Sequence, residues 1–386
     1  MQERTRLRRN RRAAGYVAAL ACVFGLVAWP SVAADSPPGI TVPIVLAPYD
    51  ASAPGCMSPP GLQKSLGFAQ DNQRAFIQGV GYGMAAAAHD RGLVYEAVSA
   101  DNDGARQAVQ LRSFLDRKFG AVIVPPVDSV TLSPVLQQVI WSGGYVGTIV
   151  PPPAITILNA PQYLTGRTLG DAAAAYIRDH FGGKADVVLL TQDSMQFLAP
   201  RFAAMRDSLA AMPSVNIIAD ISPNPVSEQG GYDTMNLILE AHPNVDVVLG
   251  ADAVVLGALR ALRETGKVRP DQFLGGIDGE PEAVAQLKLL DSPFKVTVAL
   301  SSSIFGYALG VNAADWLDGK SVPQAMDALP IALSKDNVAA YESDQADPAA
   351  VYGDPARRDR YIKRYGNICY DSREQYLNFP WSSEAN

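Results

Sequence analysis

Two doubly wound α/β lobes are the fold the sequence predicts, and three observations predict it. Short apolar strands alternate with amphipathic helices from about residue 64 onward. The alternation breaks once, at Pro151-Pro152-Pro153, and then resumes for a second round. Of 386 residues, 48% are apolar, which supplies cores for two domains of ordinary size. Apolar strands alternating with helices mean parallel sheets covered on both faces. A run of prolines forbids continued regular structure.

Along the first round, residues 66–69 read as a buried strand, followed by a helix over 75–91 that Gly92 stops as a left-handed cap. Residues 94–98 alternate as a strand, and 105–118 carry Val109, Leu111, Phe114 and Leu115 at helical spacing. A short strand at 121–124, a helix at 132–142 closed by Gly143-Gly144, and a strand at 145–150 complete this round. The second round predicts helices over 168–181, 201–212, 231–241, 281–290 and 303–318, and another that Asp252 caps and that ends at Thr265-Gly266. Its strands fall at 186–190, 216–219, 245–249, 273–277 and 294–300. Parallel sheets bind ligands where the loops at their strands' carboxyl ends converge. That places a site in the loops after Ala69, Val124, Val150, Leu190, Gly250, Ile277 and Leu300.

The N-terminus has a separate logic. Six arginines between Arg4 and Arg12 precede an apolar run over 16–29 and then Ser31-Val32-Ala33-Ala34. This reads as an export signal cleaved near Ala33/Ala34, hence a periplasmic protein. The run, about 14 residues, is short of the roughly 20 that a spanning helix needs. A lipid-modified Cys22 requires a leucine three residues earlier, where Ala19 stands, and Arg8-Arg9 and Arg11-Arg12 match a twin-arginine signal only weakly. Removing six arginines and Glu3 takes the formal charge from −7 to −12, which argues against nucleic acid as a partner. Cys56 and Cys369 are then the only cysteines left, and in an oxidising compartment two such thiols are more often bridged than separately buried.

Several stretches carry a resemblance: Phe68-Ala69-Gln70-Asp71-Asn72 with Phe76, Asn102-Asp103, Pro126-Val127-Asp128-Ser129, residues 241–262, and Gly275-Gly276-Ile277-Asp278-Gly279. Together these make residues 66–322 similar to the periplasmic sugar-binding proteins of the ribose and galactose type, the type I fold. The resemblance implies a three-crossover hinge, with a first lobe of 62–158 plus 301–335 and a second of 159–300. An extended arm at 35–61 and a tail at 336–386 lie outside it. It also implies a soluble, monomeric receptor that hands a small carbohydrate or related molecule to the membrane permease of an ABC importer. A ligand sensor docking on a chemoreceptor or sensor kinase, with a non-sugar ligand, is the alternative.

Within that resemblance Asp278 is expected to accept hydrogen bonds from ligand hydroxyls, or to cap the helix after it. Phe76 stacks on a ring or joins the core. Asp71, Asn72 and Arg74 reach a ligand or form a solvated turn. Arg201 corresponds, with a displacement of about two positions, to a second-lobe arginine of the family. Asp252 and Asp128 read either as ligand contacts or as helix caps. Departures stand beside these: Pro151-Pro152 occupy the place of a sugar-gripping Asp-Arg pair, Ala251 that of an asparagine, and an apolar residue near Leu300 that of a glutamine. Since each unsatisfied buried hydroxyl costs about 1–3 kcal/mol, fewer or differently distributed ligand hydroxyls follow. Neither His89, His180 nor His242 has metal-ligand spacing, and no G-x-S-x-G elbow or P-loop occurs. Gly79, Gly81 and Gly83 fall inside a helix and serve close packing rather than a dinucleotide. The expectation is therefore a binding protein, with no catalysis and no cofactor.

Overall fold

The computed structural model describes residues 38–384; the export signal and its cleavage site lie outside them. The first lobe runs β1 (Gln63–Gln70), α1 (Ala75–Arg91), β2 (Val94–Ser99), α2 (Gly104–Asp116), β3 (Phe119–Val124), α3 (Ser129–Trp141), β4 (Tyr145–Ile149) and β5 (Thr156–Asn159). The second continues with α4 (Gln162–Phe181), β6 (Ala185–Leu190), α5 (Ala199–Ala210), β7 (Val215–Ile221) and α6 (Glu228–Ala241). It closes with β8 (Val247–Gly250), α7 (Asp252–Glu264), β9 (Phe273–Asp278), α8 (Pro281–Leu287) and β10 (Phe294–Ala299). α9 (Ser302–Leu317) and β11 (Ala325–Ala328) return to the first lobe, and β12 (Ile331–Leu333) goes back to the second. After α10 (Val338–Ala346), the chain adds α11 (Pro348–Gly353), α12 (Pro355–Arg358) and β13 (Ile362–Tyr365) to the first.

Two sheets result, ordered β13-β11-β5-β4-β3-β1-β2 and β12-β10-β9-β8-β6-β7. Their pairings are parallel except at one edge of each, where β13 lies antiparallel to β11 and β12 antiparallel to β10. The first sheet's apolar side chains form one continuous core. The second has a core on each face, as helices on both sides require.

The proline run does not divide the lobes. Pro151-Pro152-Pro153 loops between β4 and β5, which pair in parallel within one sheet, and the lobe change comes only after Asn159. β5 has just four residues, so its periodicity is too short to register beside three prolines. Residues 331–333, expected in the first lobe as part of 301–335, also differ: as β12 they pair with β10 of the second sheet. The tail, for its part, makes a further crossing. Val338 of α10 is buried in the second lobe's core, Tyr341 packs against the cores of both lobes, and β13 extends the first sheet.

α1 and α9 cross closely because glycine permits it. A Cβ on Gly83 would lie 1.9 Å from Ser303 O, and one on Gly79 would lie 2.1 Å from Ser302 Oγ. These two glycines serve packing as expected, whereas Gly81 has only ordinary neighbours. The arm and tail are joined by a disulfide between Cys56 and Cys369. Around it, Met57 N donates to Asp371 and Ile40 N to Tyr376 O.

Candidate functional site

The carboxyl end of β1 feeds a polar loop that is tightly self-bonded. Asp71 accepts from Asn72 N and Nδ2, each at 2.9 Å, and pairs with Arg74 at 3.3 Å. Asn72 Oδ1 accepts from Arg74 N at 2.9 Å and Nε at 3.0 Å. Asn72 Nδ2 also donates to Asn102 in the loop after β2, at 3.1 Å. Underneath lies Gln107, fully buried on α2, which donates to Ala69 O and Pro125 O and accepts from Val127 N. One amide thus ties the loops after β1 and β3 together. A cavity of about 500 Å³ opens above them, lined by Asp71, Asn72, Arg74, Asn102, Pro126 and Val127.

The second lobe contributes an opposite rim. Asp278 ends β9 with φ +117°, a strained backbone for a residue with a Cβ. Its side chain is 44% exposed along a cleft walled by protein, and Arg201 NH1 lies 3.6 Å from Oδ1. Loss of hydration raises the Asp278 carboxyl above its usual range, opposed by Arg201 and, across the cleft, by Arg74 of the first lobe. Arg201 is itself buried at the start of α5, and its Nε donates to Gln162 at 2.8 Å. Burial lowers this guanidinium's pKa and the Asp278 charge opposes that. The structure therefore gathers Asp71, Asn72 and Arg74 on one side and Arg201 and Asp278 on the other.

Asp252, Asp128 and Phe76, each expected either to touch a ligand or to serve the scaffold, all make scaffold contacts, and only the expected cap at Asp252 is overturned. Asp252 is fully buried and its carboxyl is taken up by protein partners: it accepts from Glu280 N at 2.7 Å and from Thr297 Oγ1 at 2.8 and 2.9 Å. Nor does it cap α7, whose N-cap is Ala251; the carboxylate instead pins the ends of β9 and β10. Gly276 makes room, since a Cβ there would sit 1.7 Å from Asp252 Oδ1. Burial pushes this carboxyl well above the ordinary range. Asp128 is the N-cap of α3, accepting from Val130 N at 3.0 Å and from the Thr131 hydroxyl. The Thr131 bond foremost keeps its pKa low. Phe76 packs half-buried against the first lobe's core.

Sequence reasoning missed Gln107, Gln162 and Thr297 as positioning residues. Gln107 shares a helix face with Leu111 and Phe114, so a polar residue on an apolar stripe was the available signal. Gln162 and Thr297 gave none, because their partners come from elements far along the chain. Among the described residues no group of His, Cys, Asp or Glu could hold a metal ion, and no helix is long and apolar enough to cross a membrane.

Comparison with known proteins matches residues 68–321 to a family described as periplasmic binding protein domain. The ribose import binding protein of Bacillus subtilis is 28% identical over 262 residues, covering 64% of this chain and 79% of that protein. A xylitol-binding protein of Mycolicibacterium smegmatis is 28% identical over 250 residues, covering 62% and 68%. Among solved structures, a periplasmic ribose ABC transporter protein from Conexibacter woesei superposes with a TM-score of 0.63 at 19% identity, covering 74% of this chain and 96% of that one. A solute-binding protein from Bacillus halodurans with bound myo-inositol gives 0.60 at 20% identity, covering 73% and 98%. At these identities the structural likeness concerns the fold.

Proposed function

Because the chain belongs to the periplasmic binding protein family, we propose that it captures a sugar or polyol between its lobes and delivers it to the membrane permease of an ABC importer. The observation that carries this reading is the pairing of rims. Polar side chains stand at the strand ends of both lobes, Asp71, Asn72 and Arg74 in the first and Asp278 with Arg201 in the second, and the Arg74 charge bears on the Asp278 carboxyl. Only a closed arrangement offers both sets of contacts, and ligand therefore stabilises closure. Asp71, Asn72 and Arg74 supply donors and acceptors from one rim. Asp278, oriented by Arg201, accepts from a hydroxyl on the other. Asp128, Asp252 and Phe76 act through the scaffold.

The curated relatives, a ribose and a xylitol binder, support a polyhydroxylated guest. In this reading the protein works as a monomer in the periplasm after cleavage near Ala33/Ala34, and it needs neither cofactor nor catalysis. Titration calorimetry of the mature protein against pentoses, hexoses, inositols and polyols tests the reading, with solution scattering to follow compaction. Micromolar or tighter binding with a smaller radius of gyration is expected. Indifference to the whole panel sinks it.

A further inference from the structure

The crossover from β5 to α4 borders a second cavity of about 470 Å³, chemically unlike the first. Its first-lobe wall is Val150, at the end of β4, with Asn159. The second-lobe wall is Tyr163, Phe197 and Pro200, and the C-terminal tail closes it with Pro380 and Trp381. The size falls within the roughly 300–1,000 Å³ of small-molecule sites. Phe197, 54% exposed, presents its ring to this space. Its lining is mostly apolar, with Asn159, Gln162, Ser382 and Glu384 as the polar members, so water in it finds few hydrogen-bond partners.

The tail is held as a built wall. Trp381 is buried against the first lobe, its Nε1 donating to Ile44 O and its ring 5.0 Å from Tyr365. Three residues on, the Glu384 carboxylate accepts from Tyr163 N at 3.1 Å and Leu164 N at 2.7 Å in the first turn of α4. That bond carries the wall across to the second lobe, where α4's unpaired N–H groups favour an anion. The chamber also adjoins the charged rim: Gln162 lines it, and the same side chain accepts from Arg201, the partner of Asp278.

We infer that this chamber is a subsite for a flat, apolar substituent, so that the natural guest is a glycoside-like molecule with a polyhydroxylated head and an aromatic or similarly apolar group. The inference rests on the proposed sugar-binding role and adds to it the guest's second half. An amphiphilic guest matches a polar rim at Asp278 and Arg201 that reaches, through Gln162, a neighbouring chamber walled by Tyr163, Phe197 and Trp381. It also accounts for Pro151-Pro152 directly after Val150, where a wall that need not grip hydroxyls carries none.

The test is calorimetry on the mature protein with each aldose of a panel presented free, as its methyl glycoside and as its phenyl glycoside. For the best-bound sugar, the phenyl glycoside is expected to bind about tenfold or more tightly than the methyl glycoside, from burial of the added ring. Phe197→Ala brings the two within about twofold, and Leu290→Ala, another exposed apolar position outside the chamber, keeps the difference. Equal affinities for both glycosides, rejection of both while the free sugar binds, or a phenyl preference that survives Phe197→Ala overturns the chamber's role and leaves the sugar reading standing. Failure of every panel member to bind overturns both.

Discussion

Asp278 joins a strained backbone to a carboxyl whose proton is held more tightly than usual. As the ionised form is the acceptor for a hydroxyl, sugar affinity should fall on acidification, beginning at a higher pH than for an ordinary carboxylate. Calorimetry across a pH series should show that fall in the wild type and a flat profile in Asp278→Asn. Removing the acceptor with Asp278→Ala should weaken the best-bound sugar about 10- to 100-fold, the span expected for a hydrogen bond to a charged group. Asp252 behaves differently because protein alone surrounds it. Its raised folded pKa contributes stability at acid pH that is lost as pH rises through that value. The melting temperature of the wild type relative to Asp252→Asn should therefore be highest in acid and decline towards neutrality. Gln107→Ala leaves Ala69 O, Pro125 O and Val127 N without their partner and should cost about 1–3 kcal/mol by denaturant melts, with weaker ligand binding as the two loops loosen.

At the scale of elements, the α1–α9 contact shows how small residues set lobe geometry. A methyl on Gly83 would overlap the backbone carbonyl of Ser303, and a backbone atom cannot swing aside as a flexible side chain can. Gly83→Ala gains intrinsic helix propensity, worth roughly 1 kcal/mol. Overpacking should outweigh that gain and leave a net loss of about 1–3 kcal/mol in chemical denaturation. The longer elements were legible because each helix repeats its apolar spacing over two or more turns and each strand is an apolar or alternating run bordered by such a helix. β5, β11, β12 and β13 have only three or four residues each, and pairing partners rather than periodicity make them strands. α10 and α11 are short, and their packing against α9 sustains them, while α12 is a single turn whose N-terminus Asp354 caps.

For the whole molecule, the disulfide and tail change what kind of hinge this is. Cys56 and Cys369 are 313 positions apart, and their bond fastens the arm to the segment that continues into Trp381 and Glu384. Replacing both cysteines with serine should lower stability by about 2–5 kcal/mol, read as a lower melting temperature that reductant reproduces in the wild type. Besides three crossovers, α10 spans the lobes and Glu384 ties the tail to α4.

The alternation of apolar strands and helices, the acidic surface and the motifs at strand ends were present in the sequence because they are local: periodicity, charge and short spacings survive in one dimension. So the two doubly wound lobes could be read there, as could the strand-end positions of Asp71, Asn72, Arg74 and Asp278. Only tertiary structure decided which carboxylates face the cleft, since Asp252 and Asp278 look alike in sequence and differ only by what surrounds them. It also decided that the proline run lies within a lobe and that the tail walls a chamber beside the hinge. Those outcomes depend on contacts between residues hundreds of positions apart, which no local pattern encodes.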